Sequence, residues 1–199
     1  ERYTIGGRFV RRRGALLIEA EAIGQLGSSD QGQAIRAWAI AGDVHGELTK
    51  IGPAALIAGA KLSLASGDED SADQTIGGFD PLFPNPAFTG SFPLFAPTNI
   101  AAINPAMSLQ WPGGHRVGVD VALMQRVTRG DTVYNFGGAP VPATGGGRYV
   151  GALWALTGVY RVSPELTVNA TASYLANGDY FASRERNTTA VFVNLNFEL

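Results

Sequence analysis

Cysteine is absent from all 199 residues, which excludes disulfides, thiolate nucleophiles and cysteine-held metals. Histidine is nearly absent: His45 and His115 have no metal-ligand spacing, and there is no nucleophile elbow or HExxH motif, so no enzyme is expected. Charge is scarce, at 16% of residues against about 25% in ordinary soluble domains. The formal net charge of −2 provides no basic field for nucleic acid. No run of about 18 apolar residues exists, because Lys61 interrupts the best candidate, Ile51 to Leu64, so no transmembrane helix is expected. The opening "ERYTIGGRFVRRRG" lacks the apolar centre and cleavage site of a signal peptide, so the chain is expected to be mature or to begin inside a longer protein. The glycine-rich "ATGGGRYV", Ala143 to Val150, precedes a strand pattern and not the helix that a phosphate loop needs.

What is present is period-two alternation with abundant glycine, 26 residues in all. In "LLIEAEAIG", Leu16, Ile18, Ala20 and Ala22 share one face, and Leu17, Glu19 and Glu21 the other. In "HRVGVDVALMQR", Val117, Val119, Val121 and Leu123 alternate with Arg116, Gly118, Asp120 and Ala122. "LTVNATASYLAN" and "TAVFVNLNFEL" repeat the pattern, the latter opposing Val191, Val193 and Leu195 to Asn194 and Asn196. The pattern predicts about nine strands, near 1–12, 14–26, 32–44, 51–66, 100–111, 115–129, 148–162, 165–178 and 187–199. "RRRG", "WPGGH" and "VSPEL" are tight connections, whereas 67–99 and 130–147 are long, the rhythm of periplasmic turns and extracellular loops.

A soluble β-sandwich also alternates. Against it, the polar face carries Gly, Ala, Ser, Thr and Asn more than Lys and Glu, and Trp111 and Tyr160 sit beside turns on apolar faces, as an aromatic girdle requires. The expected fold is therefore an all-β, antiparallel transmembrane β-barrel in the bacterial outer membrane, in contact with outer-membrane lipid and lipopolysaccharide. Counting back from a C-terminal strand that ends in the periplasm, the first strand begins outside the cell. The whole of 1–199 is then the C-terminal part of a larger barrel, completed by N-terminal strands or by a second chain.

Specific motifs sharpen this reading. "LASGDEDSADQTIGGFDPLFP", "APTNIAAINPAMSLQW", "RGDTVY" and "RYVGALWAL" resemble, in order and spacing from about Ile51 onward, the alginate-export family of outer-membrane barrels. The matching positions are Ser66-Gly67-Asp68, Phe79-Asp80-Pro81-Leu82-Phe83-Pro84, Asn99, Asp131, Tyr134 and Gly151. The resemblance implies a barrel of roughly eighteen strands and export of an anionic polysaccharide. The sequence departs from the family pattern at Leu153 and Ala155, where acids are expected to face the lumen.

With apolar faces toward lipid, the parity aims Arg2, Arg8, Glu19, Glu21, Lys61, Arg116, Asp120 and Arg126 into the pore, whereas "AIRAWAIAG" is apolar on both faces and leaves Arg36 unassigned. Arginine suits carboxylates, so an anionic saccharide or small anionic solute is the expected cargo. A general diffusion porin, or a plugged barrel acting as an anchor through its loops, are the alternatives. The loop 67–99 carries Asp68, Asp70 and Asp73, a candidate Ca²⁺ site set against a merely solvated acidic loop. Its Phe-Pro cluster, including Phe79, Asp80 and Phe83, predicts an ordered segment that constricts or caps the mouth.

Overall fold

The computed structural model describes residues 1–82, 89–182 and 185–197. Its elements are all strands: β1 (Arg2–Arg13), β2 (Leu16–Ser28), β3 (Ala34–Ile51), β4 (Ala54–Ala65), β5 (Thr75–Ile76), β6 (Ile100–Gln110), β7 (Arg116–Gln125), β8 (Val133–Tyr134), β9 (Pro140–Val141), β10 (Tyr149–Arg161), β11 (Leu166–Asn177) and β12 (Thr188–Phe197). Nine of them form one antiparallel meander in the order β1-β2-β3-β4-β6-β7-β10-β11-β12. The short β5 adds a parallel pairing, Ala34 with Thr75 and Ile35 with Ile76, and β8 pairs with β9 in a separate ribbon.

The sheet is open, not a closed barrel: β1 and β12 are its two ends. The ends also share a direction. Nine strands that alternate in sense leave the first and last running the same way, so these two cannot complete an antiparallel ladder with each other.

Tight turns gather at one end of the sheet. Arg13 pairs with Leu16 across Gly14-Ala15, and Ile51 with Ala54 across Gly52-Pro53. Gly14 and Gly52 have φ of +59° and +57°, which glycine adopts without the steric cost of a Cβ. Trp111 N–H donates to His115 C=O at 2.9 Å and Val162 N–H to Leu166 C=O at 2.8 Å, closing the other two turns. The long connections lie at the opposite end. Two boundaries differ from the sequence pattern. β3 continues to Ile51 where a turn after residue 44 was expected, because "HGELTK" lacks the apolar alternation that marks a strand yet pairs with β4 through a register shift between Glu47 and Thr49. β7 stops at Gln125, four residues early, because the backbone from Arg126 bonds into the loops.

The two faces differ. On one, Ile5, Ile18, Ile40, Val44, Leu62, Ile103, Val117, Val119, Leu123, Leu156, Val191, Val193 and Leu195 are all exposed, with Tyr3, Trp38, Trp154, Tyr160 and Tyr174 among them. An apolar sheet face of this extent needs lipid or a protein partner against it. The other face is covered toward the long-loop end by the chain's own connections. Phe95, Ile100, Ala102, Ala122, Met124, Val133, Val150, Leu153, Leu175 and Tyr180 form a core there, and Phe79 packs on Ala37, Ala39 and Ala65 in a second cluster.

Candidate functional site

Cross-strand partners in an antiparallel sheet share a face, so the ladder fixes which side chains stand together. Arg8 opposes Glu21, Glu19 opposes Asp43, Asp43 opposes Lys61, and Lys61 opposes Asn104. Asp120 opposes Ala106 and Ala155, and Arg116 opposes Gln110. All of these lie on the loop-covered face, as does Arg2, whose guanidinium donates to Gln25 at 2.9 Å and lies 3.5 Å from Asp80.

The described parts of loop 67–99 touch this face at two places. Gln25, 1% exposed, clasps the Asp80 peptide from both sides, donating to its C=O at 2.6 Å and accepting from its N–H at 3.0 Å. Further along, Ser91 N–H donates to the Asp120 carboxylate at 3.3 Å, and Asn104 donates to the same oxygen at 2.8 Å. Asp120 is halfway along β7, so the loop reaches well down the wall. Phe83 lies outside the described residues.

Two hollows border the loop. One of about 390 Å³ is lined by Arg8, Glu19, Glu21, Asp43, Lys61 and Phe79. The other, about 260 Å³, is lined by Asp43, His45, Lys61, Ser91, Arg116 and Asp120. Asp43 and Lys61 border both. Cations and carboxylates are interleaved across them: Arg8 to Glu19 is 2.8 Å and Lys61 to Asp43 is 3.8 Å, while the His45 ring meets Asp43 through Nδ1 at 2.8 Å. The face is thus balanced in charge, with much of its positive charge already opposite a carboxylate.

Arg126 stands apart from this group. It is 5% exposed and sits over the Tyr180 ring at 5.3 Å, donating to the carbonyls of Arg129, Asp131 and Gly146. It ties three loop segments together and borders neither hollow. Asp68, Asp70 and Asp73 do not assemble a Ca²⁺ site: Asp70 and Asp73 carboxylates cap the N–H groups of Ala72 and Thr75, and among the described residues no group of three His, Cys, Asp or Glu could hold a metal. Asp68 uses its backbone N–H, which donates to Asp131 Oδ2 at 3.1 Å.

The motif residues converge on a knot beneath the loops. Asp131 Oδ1 accepts from Tyr134 Oη at 2.9 Å, and burial together with this carboxylate pushes the Tyr134 phenol up to about 12. Ser66 C=O accepts from the N–H groups of Phe79 and Asn99. A Cβ on Gly67 would lie 2.4 Å from the Asn99 side chain, so only glycine fits. Leu153, where an acid was expected, is 2% exposed inside the loop-capping core, and burying a carboxylate there would be costly.

Asp43, Gln25 and Asn104 are the members of the site that sequence patterning missed. Asp43 alone had a signal, its opposition to Lys61 once the hairpin register is fixed. Arg36, unassigned from sequence, pairs with Leu26 on the bare face.

The arrangement defines an all-β wall with one bare apolar face and one polar, charge-balanced face overlaid by its own long loop. A family model described as Alginate export matches residues 1–194, and the chain belongs to that family. No curated protein matches it.

Proposed function

We propose that the chain is part of the wall of an outer-membrane β-barrel that exports or passes a polysaccharide or small solutes, without catalysing a reaction. The bare face meets lipid and lipopolysaccharide, and the loop-covered face lines the path. One observation carries the reading: loop 67–99 is pinned by Asp80 at Gln25 and by Ser91 at Asp120 to the face that holds Arg8, Glu19, Lys61 and Asp120, while the opposite face is bare and apolar. A wall cannot narrow its own bore, but a loop anchored halfway down it can. Family membership supports transport of a polymer. The charge-balanced face supports passage governed by fit and local fields more than by one sign of charge. Strands outside this sheet complete the barrel.

The same pinning favours a second reading, a plugged barrel that acts as an anchor. Single-channel recording on the complete protein in planar bilayers separates the two. Transport predicts stable current steps that grow when Gln25→Ala and Phe79→Ala release the loop. Absence of any stable current, before and after release, overturns transport in favour of the plugged anchor.

A further inference from the structure

The loop-side face changes character along the sheet. Its charged groups lie on β1 to β7 and, at the tight-turn end, at Arg161 of β10, whereas among the described residues β11 and β12 carry none there. Thr171 opposes Phe192, Asn169 opposes Asn194, and Thr167 opposes Asn196, forming three successive rows on that face. Thr157 of β10 opposes Thr171, with their hydroxyls 3.4 Å apart, and Thr157 also borders the hollow at Arg116 and Asp120, which fixes the side of the sheet. Phe192 breaks the pattern of its strand: its polar-side neighbours are Asn194 and Asn196, yet it is a large apolar ring, 56% exposed on that side. The amides of Asn169, Asn194 and Asn196 have no hydrogen-bond partner among the described residues.

A bare aromatic ring beside unpaired amides matches one ligand chemistry well. A pyranose has an apolar C–H face that packs on an aromatic ring and a rim of hydroxyls that both donate and accept. Each asparagine amide likewise offers two donors and one acceptor oxygen. An acidic sugar would instead call for a cation, and cations are poorly placed here. Arg161 opposes Thr167 at the turn end of the track, but its guanidinium is turned onto the carbonyls of Ser163 and Pro164. Arg116 shares the row of Asn169 and Asn194 but stands two strands from Asn169, on the far side of Val159, roughly 10 Å away.

We propose that Phe192, Asn169, Asn194, Thr171, Thr167 and Asn196 form a binding track for neutral hydroxylated sugar rings. The proposal rests on the reading of this face as the lining of a saccharide channel. The test is current blockade in the complete protein, with a neutral α-linked glucose hexasaccharide and a hexauronate as probes. The neutral probe is expected to interrupt the current, and Phe192→Ala or the pair Asn169→Ala and Asn194→Ala to weaken that block about tenfold. Phe192→Tyr is expected to retain it. Because open-channel current reports assembly in each variant, a stable current whose block is unchanged in Phe192→Ala overturns the track and leaves the channel reading standing. Stronger block by the hexauronate overturns the neutral specificity. No current in the wild-type protein overturns the channel reading itself, and the track with it.

Discussion

Asn99 holds Thr128 by both of its backbone groups. Its Oδ1 accepts from Thr128 N–H at 2.8 Å and its Nδ2 donates to Thr128 C=O at 3.1 Å, as a neighbouring strand would. The same Nδ2 donates to Thr132 C=O at 3.0 Å. Asn99 is fully buried and has φ of +50°, a conformation that asparagine tolerates better than most residues. It stands where loop 67–99 enters β6, so a single side chain couples that loop to the segment following β7.

Asn99→Ala should therefore do more than remove one contact. It leaves two buried backbone groups of Thr128 and the half-buried Thr132 carbonyl without this partner and puts a less tolerant residue at positive φ, a loss of about 2–4 kcal/mol. The expected outcome is a lower unfolding temperature together with faster proteolysis of both loops. Unchanged proteolysis would show that the loops are held elsewhere.

Tyr134 gives this knot a pH signature. Its phenol is raised from 10.0 to about 12, chiefly by burial, then by the hydrogen bond to Asp131. A group raised on folding contributes stability that is complete below its unfolded pKa and is lost as pH rises through the folded value. The contribution is accordingly present up to about pH 10 and lost between about pH 10 and 12. Denaturant titrations across that window should show an alkaline loss that Tyr134→Phe reduces. An equal loss in the variant would assign it to other groups.

The face assignment is tested by paired substitutions. Val119 and Val193 are on the bare face and Thr171 on the loop-side face. Val119→Arg or Val193→Arg should block assembly, since arginine at the bilayer midplane of a barrel costs roughly 2–4 kcal/mol. Thr171→Arg should assemble and change the conductance. The reverse result would invert the parity.

The wall was legible because period two survives wherever one face is apolar and the other polar, as in β7 and β12. Legibility failed where the loop covers the sheet. "AIRAWAIAG" is apolar on both faces because Trp38 and Ile40 are bare while Ala37 and Ala39 lie under Phe79. Leu153 and Met124 are apolar for the same reason, being under the loop core. The pinning of the loop was not legible, since Gln25 and Asn104 are ordinary polar residues until a distant segment arrives. The acidic run was ambiguous in sequence: its cluster of carboxylates allowed a cation site or a solvated loop, and the carboxylates of Asp70 and Asp73 cap turns.

Orientation in the membrane can be read with single cysteines, since the chain has none of its own. Asp30→Cys, Ala72→Cys and Arg186→Cys lie in the long-loop end, and Ala15→Cys and Pro112→Cys in the tight turns. All five positions are exposed. On intact cells an impermeant maleimide should label the first three and spare the other two. The opposite pattern would place the loop-covered mouth in the periplasm.

Charge selectivity tests the balance of the loop-side face. Arg8 is 2.8 Å from Glu19 and opposes Glu21, while Arg116 is exposed beside the hollow that Asp120 borders. Arg8→Gln with Arg116→Gln keeps length and hydrogen bonding but removes two positive charges, so Glu19, Glu21, Asp43 and Asp120 outnumber the remaining Arg2 and Lys61. The reversal potential across a salt gradient in the complete protein should then move toward cation preference. The shift should be largest in dilute salt, where the screening length is about 30 Å at 0.01 M against 3 Å at 1 M. Arg126→Gln is the comparison: that guanidinium is enclosed by loop carbonyls and borders neither hollow, so it should lower stability while leaving the reversal potential within error. If the double variant leaves the potential unmoved in dilute salt, ions do not pass along β1 to β7, and the conducting path lies against other strands.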